Sequence, residues 1–190
     1  MARTSRSLVR RGGAVAALAV ATAALALGTA APAGAAAVPT KNGLFHLKHN
    51  QTEFVLAADT LTAGAVVRVQ RVAPDIAPRE QWRVRTNPGT AALTYVPREK
   101  IKSGSAFVEG CLDLVGDVAQ PGKGIVVRPC DGTSSQKWLD VNTLSGGAVF
   151  EFENKVGFMK LNVFNAAIGG IAAQQGIVSS AEQKFRRLPL

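Results

Sequence analysis

The sequence predicts an all-β fold built from three copies of a four-stranded unit. A short motif ending in a large aromatic residue occurs three times, with the aromatic residues 56 and then 47 positions apart. Its copies are 80–82 (Glu-Gln-Trp), 136–138 (Gln-Lys-Trp) and 183–185 (Gln-Lys-Phe). Such recurrence indicates internal repeats. Beyond residue 37 the chain consists of short apolar or alternating runs separated by Gly, Pro, Asn, Asp and Ser, which is typical of strands and turns.

The first two strands of each unit are predicted from short apolar runs. The predicted first strands are 44–47, 92–96 and 148–152. The last of these alternates apolar and acidic residues, as a half-buried strand does. The predicted second strands are 54–57, 106–114 and 158–163.

The last two strands are predicted from glycines and from the recurring motif. One or two glycines stand ahead of each third strand, at 66–69, 125–128 and 171–174. The motif leads into each fourth strand, at 81–84, 137–141 and 184–188.

Twelve such strands predict a β-trefoil with pseudo-threefold symmetry. A unit of about 45 to 53 residues is too small to bury its own apolar face, whereas three units packed around one axis share a core. Trp82, Trp138 and Phe185 are then expected to meet in that core as its structural motif. A sandwich or a jelly roll is the alternative all-β arrangement, but neither explains three matching unit ends.

The first 37 residues are predicted to be a secretory signal peptide. Four arginines lie within the first 11 residues, an apolar run covers 14–27, and small-residue steps of the A-x-A type follow at 33–37. A membrane anchor is the alternative, but an apolar run of 14 residues falls short of the roughly 20 that span a bilayer. We therefore expect a secreted β-trefoil at 38–190, with repeats at approximately 41–86, 90–142 and 146–190.

The net charge is compatible with several partners. Removing the four arginines of the leader, which holds no acidic residue, lowers the net charge from +9 to +5. The remaining basic residues are scattered along the chain, Arg186 and Arg187 among them, which favours a generally positive, solvated surface. A nucleic-acid interface usually interleaves basic and aromatic residues on one face, and here the aromatic residues are expected in the core. An acidic polysaccharide or cell surface is a more plausible partner for a secreted protein.

The two cysteines are expected to form a disulfide. Cys111 and Cys130 are 19 positions apart on runs predicted to be neighbouring strands. Two cysteines in an exported chain favour a disulfide over two free thiols. Closing a loop of this size contributes about 3 kcal/mol in the chain-entropy model.

The middle unit carries a specific combination of motifs. Cys-Leu-Asp at 111–113 is followed by Cys130 and then by Gln136 and Trp138 in the order Gln-x-Trp. This combination resembles the ricin-B-type lectin family, whose repeats end in Gln-x-Trp. The resemblance implies a β-trefoil that binds carbohydrate.

The other two units resemble the family less closely. The first has Glu80 in place of the glutamine and no cysteine, while the third matches at 161–163 and 183–185. At the position of the family's sugar-binding aspartate these units have Ala57 and Asn162. At most one sugar site is therefore expected.

The resemblance assigns that site to the middle unit. Asp113 stands at the position of the aspartate that accepts hydrogen bonds from two sugar hydroxyls. Arg128 replaces the aromatic residue on which the sugar stacks, and Ser135 replaces the asparagine before Gln136. The candidate carbohydrate-binding residues are therefore Asp113, Arg128, Ser135 and Gln136.

Arg128 leaves two interpretations open. Its guanidinium can stack on a sugar or pair with the carboxylate of an acidic sugar, or it can form a salt bridge with Asp113 and close the site. The corresponding functions are a secreted carbohydrate-binding domain, or a trefoil without sugar binding that acts through protein contacts. The latter is an inhibitor of a secreted enzyme or an accessory subunit of a toxin, with the stretch 98–104 as its exposed contact loop.

No enzymatic constellation is present in the sequence. His46 and His49 are three apart on a predicted strand, which points them to opposite faces. Glu151 and Glu153 share a strand face, which is expected to be solvated. We expect no enzymatic activity, no cofactor and no metal site. The expected partners are a glycan, acidic polysaccharides included, or a secreted protein; no nucleic acid and no membrane span are expected, and the chain is expected to be a monomer.

Overall fold

The computed structural model describes residues 43–73, 77–142, 149–164, 167–176 and 180–190. The predicted leader, 1–37, lies outside these ranges. The described ranges contain strands and short 3-10 helices and no α-helix. The prediction of an all-β chain is therefore confirmed.

Fourteen strands lie within the described ranges. Three-residue 3-10 helices, Pro78–Glu80, Ser134–Gln136 and Ala181–Gln183, stand immediately before the last strand of each repeat. The strands are β1 (Phe45–His49), β2 (Phe54–Ala58), β3 (Ala65–Arg71), β4 (Gln81–Thr86), β5 (Leu93–Pro97), β6 (Ile101–Ser103), β7 (Ala106–Val108), β8 (Gly110–Leu114), β9 (Ile125–Pro129), β10 (Trp138–Asn142), β11 (Phe150–Asn154), β12 (Lys160–Val163), β13 (Ala172–Gln175) and β14 (Phe185–Pro189).

Six of these strands close into a barrel. Antiparallel pairing runs from β1 to β4, β5, β10, β11 and β14, and β14 pairs with β1 again. Each repeat contributes its first and last strand, so every repeat touches both others. A closed barrel has no free strand edge, and this closure joins the first repeat to the third through β1 and β14.

Three hairpins cover one end of the barrel. They are β2–β3, β8–β9 and β12–β13, one from each repeat. Strand β3 also pairs with β9, and isolated bridges join Arg68 to Ile171 and Gly124 to Ala173. The prediction of a β-trefoil with three four-stranded repeats is confirmed by this arrangement of barrel and hairpins.

The middle repeat contains one additional hairpin. Strand β7, predicted as the beginning of a single strand at 106–114, instead pairs with β6. Gly104, with a φ of 60°, turns the chain between them, and β8 begins only at Gly110. The stretch 98–104 is therefore not simply an exposed loop, because Ile101 within it is completely buried.

The three recurring aromatic residues occupy equivalent places in the core. Trp82, Trp138 and Phe185 are fully buried. The indole N–H of Trp82 donates to the carbonyl of Leu56 at 2.9 Å, and that of Trp138 donates to the carbonyl of Leu112 at 3.1 Å. The donor and acceptor are 26 residues apart in both repeats.

Arg187 is not part of a solvated surface. Its side chain is only 11% exposed and forms an ion pair with Asp140. The Tyr95 hydroxyl donates to Asp140 and accepts from Arg187. Burial lowers the pKa of Arg187, but the neighbouring Tyr95 and Asp140 more than compensate and raise it, so Arg187 is a buried cation.

Glu151 also differs from its predicted solvated position. It is fully buried and forms an ion pair with Lys160 of the next strand. A buried carboxylate needs such a partner, because desolvation of an unpaired charge is costly.

Candidate functional site

Asp113 lies on β8 with its carboxylate entirely buried. One oxygen, Oδ1, accepts the backbone N–H of Leu114 at 2.7 Å, and Oδ2 accepts the side-chain amide of Gln136 at 3.0 Å. Both oxygens are thus held in fixed positions by groups of the protein itself.

Gln136 ties together the two halves of this site. Its Nε2 donates to the carbonyl of Pro129 at 2.9 Å as well as to Asp113. Its Oε1 accepts the backbone N–H groups of Asp131 and Gly132, at 3.0 and 3.3 Å. The 3-10 helix Ser134–Gln136 aims the amide inward, so this side chain fixes the loop after β9 and orients the Asp113 carboxylate.

Arg128 lies on β9, diagonally across the hairpin from Asp113. The register pairs Asp113 with Val126, so position 128 is on the same sheet face, two residues along. Nη1 of Arg128 is 3.7 Å from Asp113 Oδ2 and 3.1 Å from Asp117 Oδ1. The side chain of Arg128 is 36% exposed, so the guanidinium covers the buried carboxylate on the solvent side.

Ser135 is connected to the same cluster through Asp117. Its Oγ donates to Asp117 Oδ1 at 2.8 Å and lies 2.9 Å from the hydroxyl of Thr133. Ser135 itself is buried. The structure therefore brings Asp113, Arg128, Ser135 and Gln136 together, and Asp117 contacts two of them, Arg128 and Ser135.

Asp117 is the residue that sequence reasoning missed. It follows β8 in a short turn and has a φ of 56°, a left-handed conformation that aspartate tolerates better than most residues. The adjacent Gly116, with a φ of 72°, indicates the same turn. A Gly-Asp pair at the end of a strand was the available signal, but its proximity to Ser135 depends on the fold.

A second exposed carboxylate belongs to the loop after β9. Asp131 accepts the backbone N–H and the hydroxyl of Thr133, at 2.9 and 2.7 Å. The bond from the Thr133 N–H is the main cause that lowers the pKa of Asp131 below its ordinary value, and Arg128 contributes as well. The cluster around Asp113 thus contains three carboxylates and one guanidinium.

The equivalent positions of the other two repeats lack a carboxylate. Register places Ala57 and Asn162 where the middle repeat has Asp113, because they pair with Arg68 and Ala173 as Asp113 pairs with Val126. Ala57 is fully buried and has no polar side-chain group. The Asn162 amide oxygen lies 3.5 Å from the Ser180 hydroxyl. Of these three equivalent positions, the one in the middle repeat holds a carboxylate, and Arg128 lies beside it.

A disulfide lies next to the site. It joins Cys111 to Cys130, whose α-carbons are 5.0 Å apart. The bridge ties the beginning of β8 to the end of β9, the two strands that present Asp113 and Arg128. In the part of the chain that the structure describes, no cluster of three or more His, Cys, Asp or Glu side chains is arranged to hold a metal ion. Those ranges also hold no helix of the length and apolarity that crossing a bilayer requires.

Comparison with known proteins identifies the fold. No protein-family model matches the chain, and no curated protein sequence matches it. Similar solved structures include the designed threefold-symmetric protein ThreeFoil, with a TM-score of 0.66 and 20% identity over 78% of this chain and 99% of that one. A ricin B-like lectin from Macrolepiota procera, solved in complex with lactose, matches with a TM-score of 0.61 and 11% identity over 80% and 99% of the two chains.

A toxin is similar in structure as well. The Haemophilus ducreyi cytolethal distending toxin matches with a TM-score of 0.61 and 10% identity, over 80% of this chain and 87% of that one. At such identities the likeness establishes the fold and nothing finer. The chain is a β-trefoil, a fold that it shares with lectins and with toxin chains.

Proposed function

We propose that the protein is a secreted carbohydrate-binding domain with a single sugar site in the middle repeat. The site residues are Asp113, Arg128, Ser135 and Gln136, together with Asp117. The observation that carries this proposal is the buried Asp113 carboxylate, which Gln136 holds in place directly beneath an exposed guanidinium. A carboxylate prepared in this way can accept hydroxyl hydrogen bonds without reorganising. We propose that the protein acts by binding and not as an enzyme.

Sugar binding at this site requires Arg128 to move. Asp113 is fully covered, so a hydroxyl reaches it only when the guanidinium turns toward solvent. The contact between Arg128 and the exposed Asp117 is a surface ion pair, which contributes only about 0–1 kcal/mol. The buried Asp113 loses its contact with Arg128 only as sugar hydroxyls replace it, because a buried carboxylate without a partner is costly. Hydrogen bonds from hydroxyls to a charged carboxylate contribute about 1.5–3 kcal/mol each. Hydroxyl donors to Asp113 and Asp117 therefore replace the contacts that the two carboxylates lose when Arg128 turns away.

The charge of the cluster favours a neutral sugar. Among the described side chains that contact one another here, the carboxylates Asp113, Asp117 and Asp131 outnumber the guanidinium of Arg128, so the carboxylate of an acidic sugar is repelled. Neutral hydroxyl groups are good donors to these oxygens. Lactose, bound by the similar Macrolepiota procera lectin, is a neutral disaccharide and a suitable first probe.

A glycan array tests the proposal. The mature protein is screened on neutral, sialylated and uronic-acid glycans beside Asp113→Asn, which keeps the shape of the side chain and removes its charge. We expect binding to neutral glycans that falls at least about tenfold in the variant, since one charged hydrogen bond is worth that much. Asp59→Asn is the matched control, because Asp59 forms an aspartate–arginine pair with Arg68 in the first repeat. Absence of binding, or equal binding by Asp113→Asn, would overturn the sugar site; binding only to acidic glycans would overturn the assignment of a neutral ligand.

A second candidate function is contact with a protein, and the additional hairpin favours it. Phe107 on β7 is 67% exposed, and it lies opposite Lys102 in the hairpin register. Lys102 is exposed, and the exposed residues Arg98, Glu99 and Lys100 that precede the hairpin carry a net positive charge, so the surface fits a secreted partner with an acidic face. The expected result is cross-linking to such a partner in the secretion medium that is lost in Phe107→Ser, while glycan binding is unchanged. Light scattering of the isolated protein tests the expected monomer.

A further inference from the structure

The loop between β11 and β12 belongs to the third repeat but lies against the sugar site of the second. Asn154, fully buried at the end of β11, donates its side-chain amide to the carbonyl of Ser135 at 2.7 Å. The backbone N–H of Lys155 donates to the carbonyl of Lys137 at 2.9 Å. Two hydrogen bonds therefore fix this loop to the 3-10 helix that carries Ser135 and Gln136.

The same loop touches the turn that carries Asp117. A Cβ at Gly157 would lie 2.5 Å from the Cβ of Ala119, a distance that two such atoms cannot adopt. Gly157 is therefore required for this close approach. The loop thus contacts the site on two sides, at the 3-10 helix and at the turn after β8.

Phe158, at the tip of this loop, combines an exposed aromatic ring with a left-handed backbone conformation. It is 55% exposed and has a φ of 55°. A bulky residue in the left-handed region is a backbone outlier, and such outliers concentrate at binding sites. Val118, next to Ala119, is 48% exposed, so two apolar side chains are left in solvent where the two loops meet.

The fold does not demand a phenylalanine at this position. Lys48 pairs with Val55 in the first repeat as Glu153 pairs with Lys160 in the third. Val55 and Lys160 are therefore equivalent positions. Glu53 lies two residues before Val55, and Phe158 lies two residues before Lys160, so Glu53 is the first-repeat equivalent of Phe158. Glu53 is charged and its side chain is 89% exposed, so the loop can be built without an aromatic residue.

We propose that Phe158 and Val118 form an apolar platform at the rim of the middle-repeat site. The platform takes the apolar face of a second sugar ring, while the first ring is bound by Asp113 and Asp117. This inference rests on the proposed sugar-binding function and makes the ligand class an oligosaccharide. Phe158 offers its aromatic face to the C–H groups of this second ring, whereas Arg128 remains beside the first ring.

The test compares oligosaccharides with their own monosaccharides. Phe158→Asn removes the ring and introduces a residue that tolerates the left-handed backbone. Phe158→Tyr keeps an aromatic ring. Phe164→Asn is the control, because Phe164 is an exposed phenylalanine of the same repeat. The probes are galactose, lactose and the array glycans with their constituent monosaccharides, measured by calorimetry. We expect Phe158→Asn to weaken oligosaccharide binding about tenfold, the scale of one lost apolar contact, to leave monosaccharide binding within about twofold, and Phe158→Tyr to bind like the parent protein.

The possible failures are distinguishable. If Asp113→Asn loses binding but Phe158→Asn binds oligosaccharides like the parent protein, the platform is overturned and the sugar site stands. If Phe164→Asn weakens binding as much as Phe158→Asn, or if Phe158→Asn weakens monosaccharides equally, the platform is also overturned. If the parent protein binds no glycan, both proposals fall. Unchanged thermal unfolding of each variant confirms that the effect is on binding.

Discussion

At the scale of single residues, a buried histidine makes stability depend on pH. Burial lowers the pKa of His46 below its ordinary value of 6.5, although the Glu80 carboxylate partly opposes the shift. The Nε2 atom of His46 has no hydrogen-bond partner among the described residues. As the pH falls below 6.5 the unfolded chain takes up a proton before the folded chain does, so the free energy of unfolding decreases.

We expect this loss to begin as the pH falls through 6.5, at about 1.4 kcal/mol per unit of pKa difference, and to level off below the folded-state pKa. Burial also lowers the pKa of His49, although a hydrogen bond to the Ala181 backbone and the charge of Glu182 partly oppose this shift. His46→Asn should therefore reduce the pH dependence of the unfolding free energy without removing it. Urea unfolding at pH 8, 6.5 and 5 measures the effect. The lowered pKa of Asp131 acts in a separate window, below its ordinary value of 3.8. Equal stability at pH 8 and 5 would contradict the prediction.

The buried indoles give a second prediction at this scale. Trp138→Phe leaves an aromatic ring in place, as Phe185 does in the third repeat, but removes the donor to the buried Leu112 carbonyl. An unsatisfied buried acceptor costs about 1–3 kcal/mol, and the smaller ring adds a cavity. Trp82→Phe should cost a similar amount through Leu56. Denaturant unfolding checks both, and a cost below about 0.5 kcal/mol would show that these bonds do not contribute.

At the scale of elements, the sequence identified twelve strands and missed the hairpin β6–β7. Apolar runs and turn residues predict strands, but they do not reveal that 106–108 pairs locally instead of continuing into β8. The hairpin depends on tertiary contacts. Ile101 packs directly against Gly110, because a Cβ at position 110 would lie only 2.8 Å from Cγ2 of Ile101. The backbone N–H of Lys102 also donates to the carbonyl of Leu61, and the carbonyl of Lys102 accepts the N–H of Ala63, both in the first repeat.

Opposite faces of this hairpin should respond differently to truncation. Ile101→Ala is expected to destabilise the protein by about 2–5 kcal/mol, because it empties a buried site. Phe107→Ala, on the exposed face, should change stability by no more than about 0.5 kcal/mol. Chemical denaturation of the two variants measures the contrast, and similar costs for both would mean that Ile101 is not the anchor.

The candidate site was predictable only in its inner part. The resemblance of the stretch 111–138 to ricin-B-type repeats indicated Asp113, Arg128, Ser135 and Gln136, all of which lie in one hairpin and the turn that follows it. Asp117 and Phe158 were not predictable, since each depends on loops that meet only after the repeats have packed. Sequence patterns record local periodicity, whereas contacts between repeats depend on the closed barrel.

At the scale of the whole molecule, the three repeats differ most where they meet at the barrel axis. Two residues after the recurring aromatic residue stand Val84, Asp140 and Arg187. In a symmetric barrel these positions are equivalent, yet one is apolar and two are oppositely charged. The sequence predicted the threefold pattern from its aromatic residues, but it did not reveal that Arg187 pairs inside the barrel instead of facing solvent.

Arg187 connects all three repeats. Its guanidinium lies 5.5 Å from the ring centroids of Phe45 and Tyr95 and 4.3 Å from that of Phe150, which belong to the first, second and third repeats. Cation–π contacts of a desolvated arginine are worth about 2 kcal/mol. Burial, followed by the Asp140 charge, raises the pKa of Tyr95 well above its ordinary value, so its hydroxyl stays a donor.

This cluster allows a test of whether the charges stabilise the fold or merely compensate each other. Arg187→Val removes the cation from Asp140, whose side chain is 21% exposed. It should cost up to about 3 kcal/mol, the lower end of the cost of an uncompensated buried charge, because Asp140 keeps some contact with solvent. The triple variant Tyr95→Phe/Asp140→Val/Arg187→Val removes the whole network. It places valine at positions 140 and 187, so all three equivalent positions then carry the valine that the first repeat has at Val84. Exchange of a buried ion pair for apolar side chains is often neutral or stabilising, so the triple variant should recover most of the loss despite the missing cation–π contacts. Unfolding free energies of the single and triple variants decide the matter: a triple variant as unstable as Arg187→Val would mean that the ion pair itself holds the three repeats together.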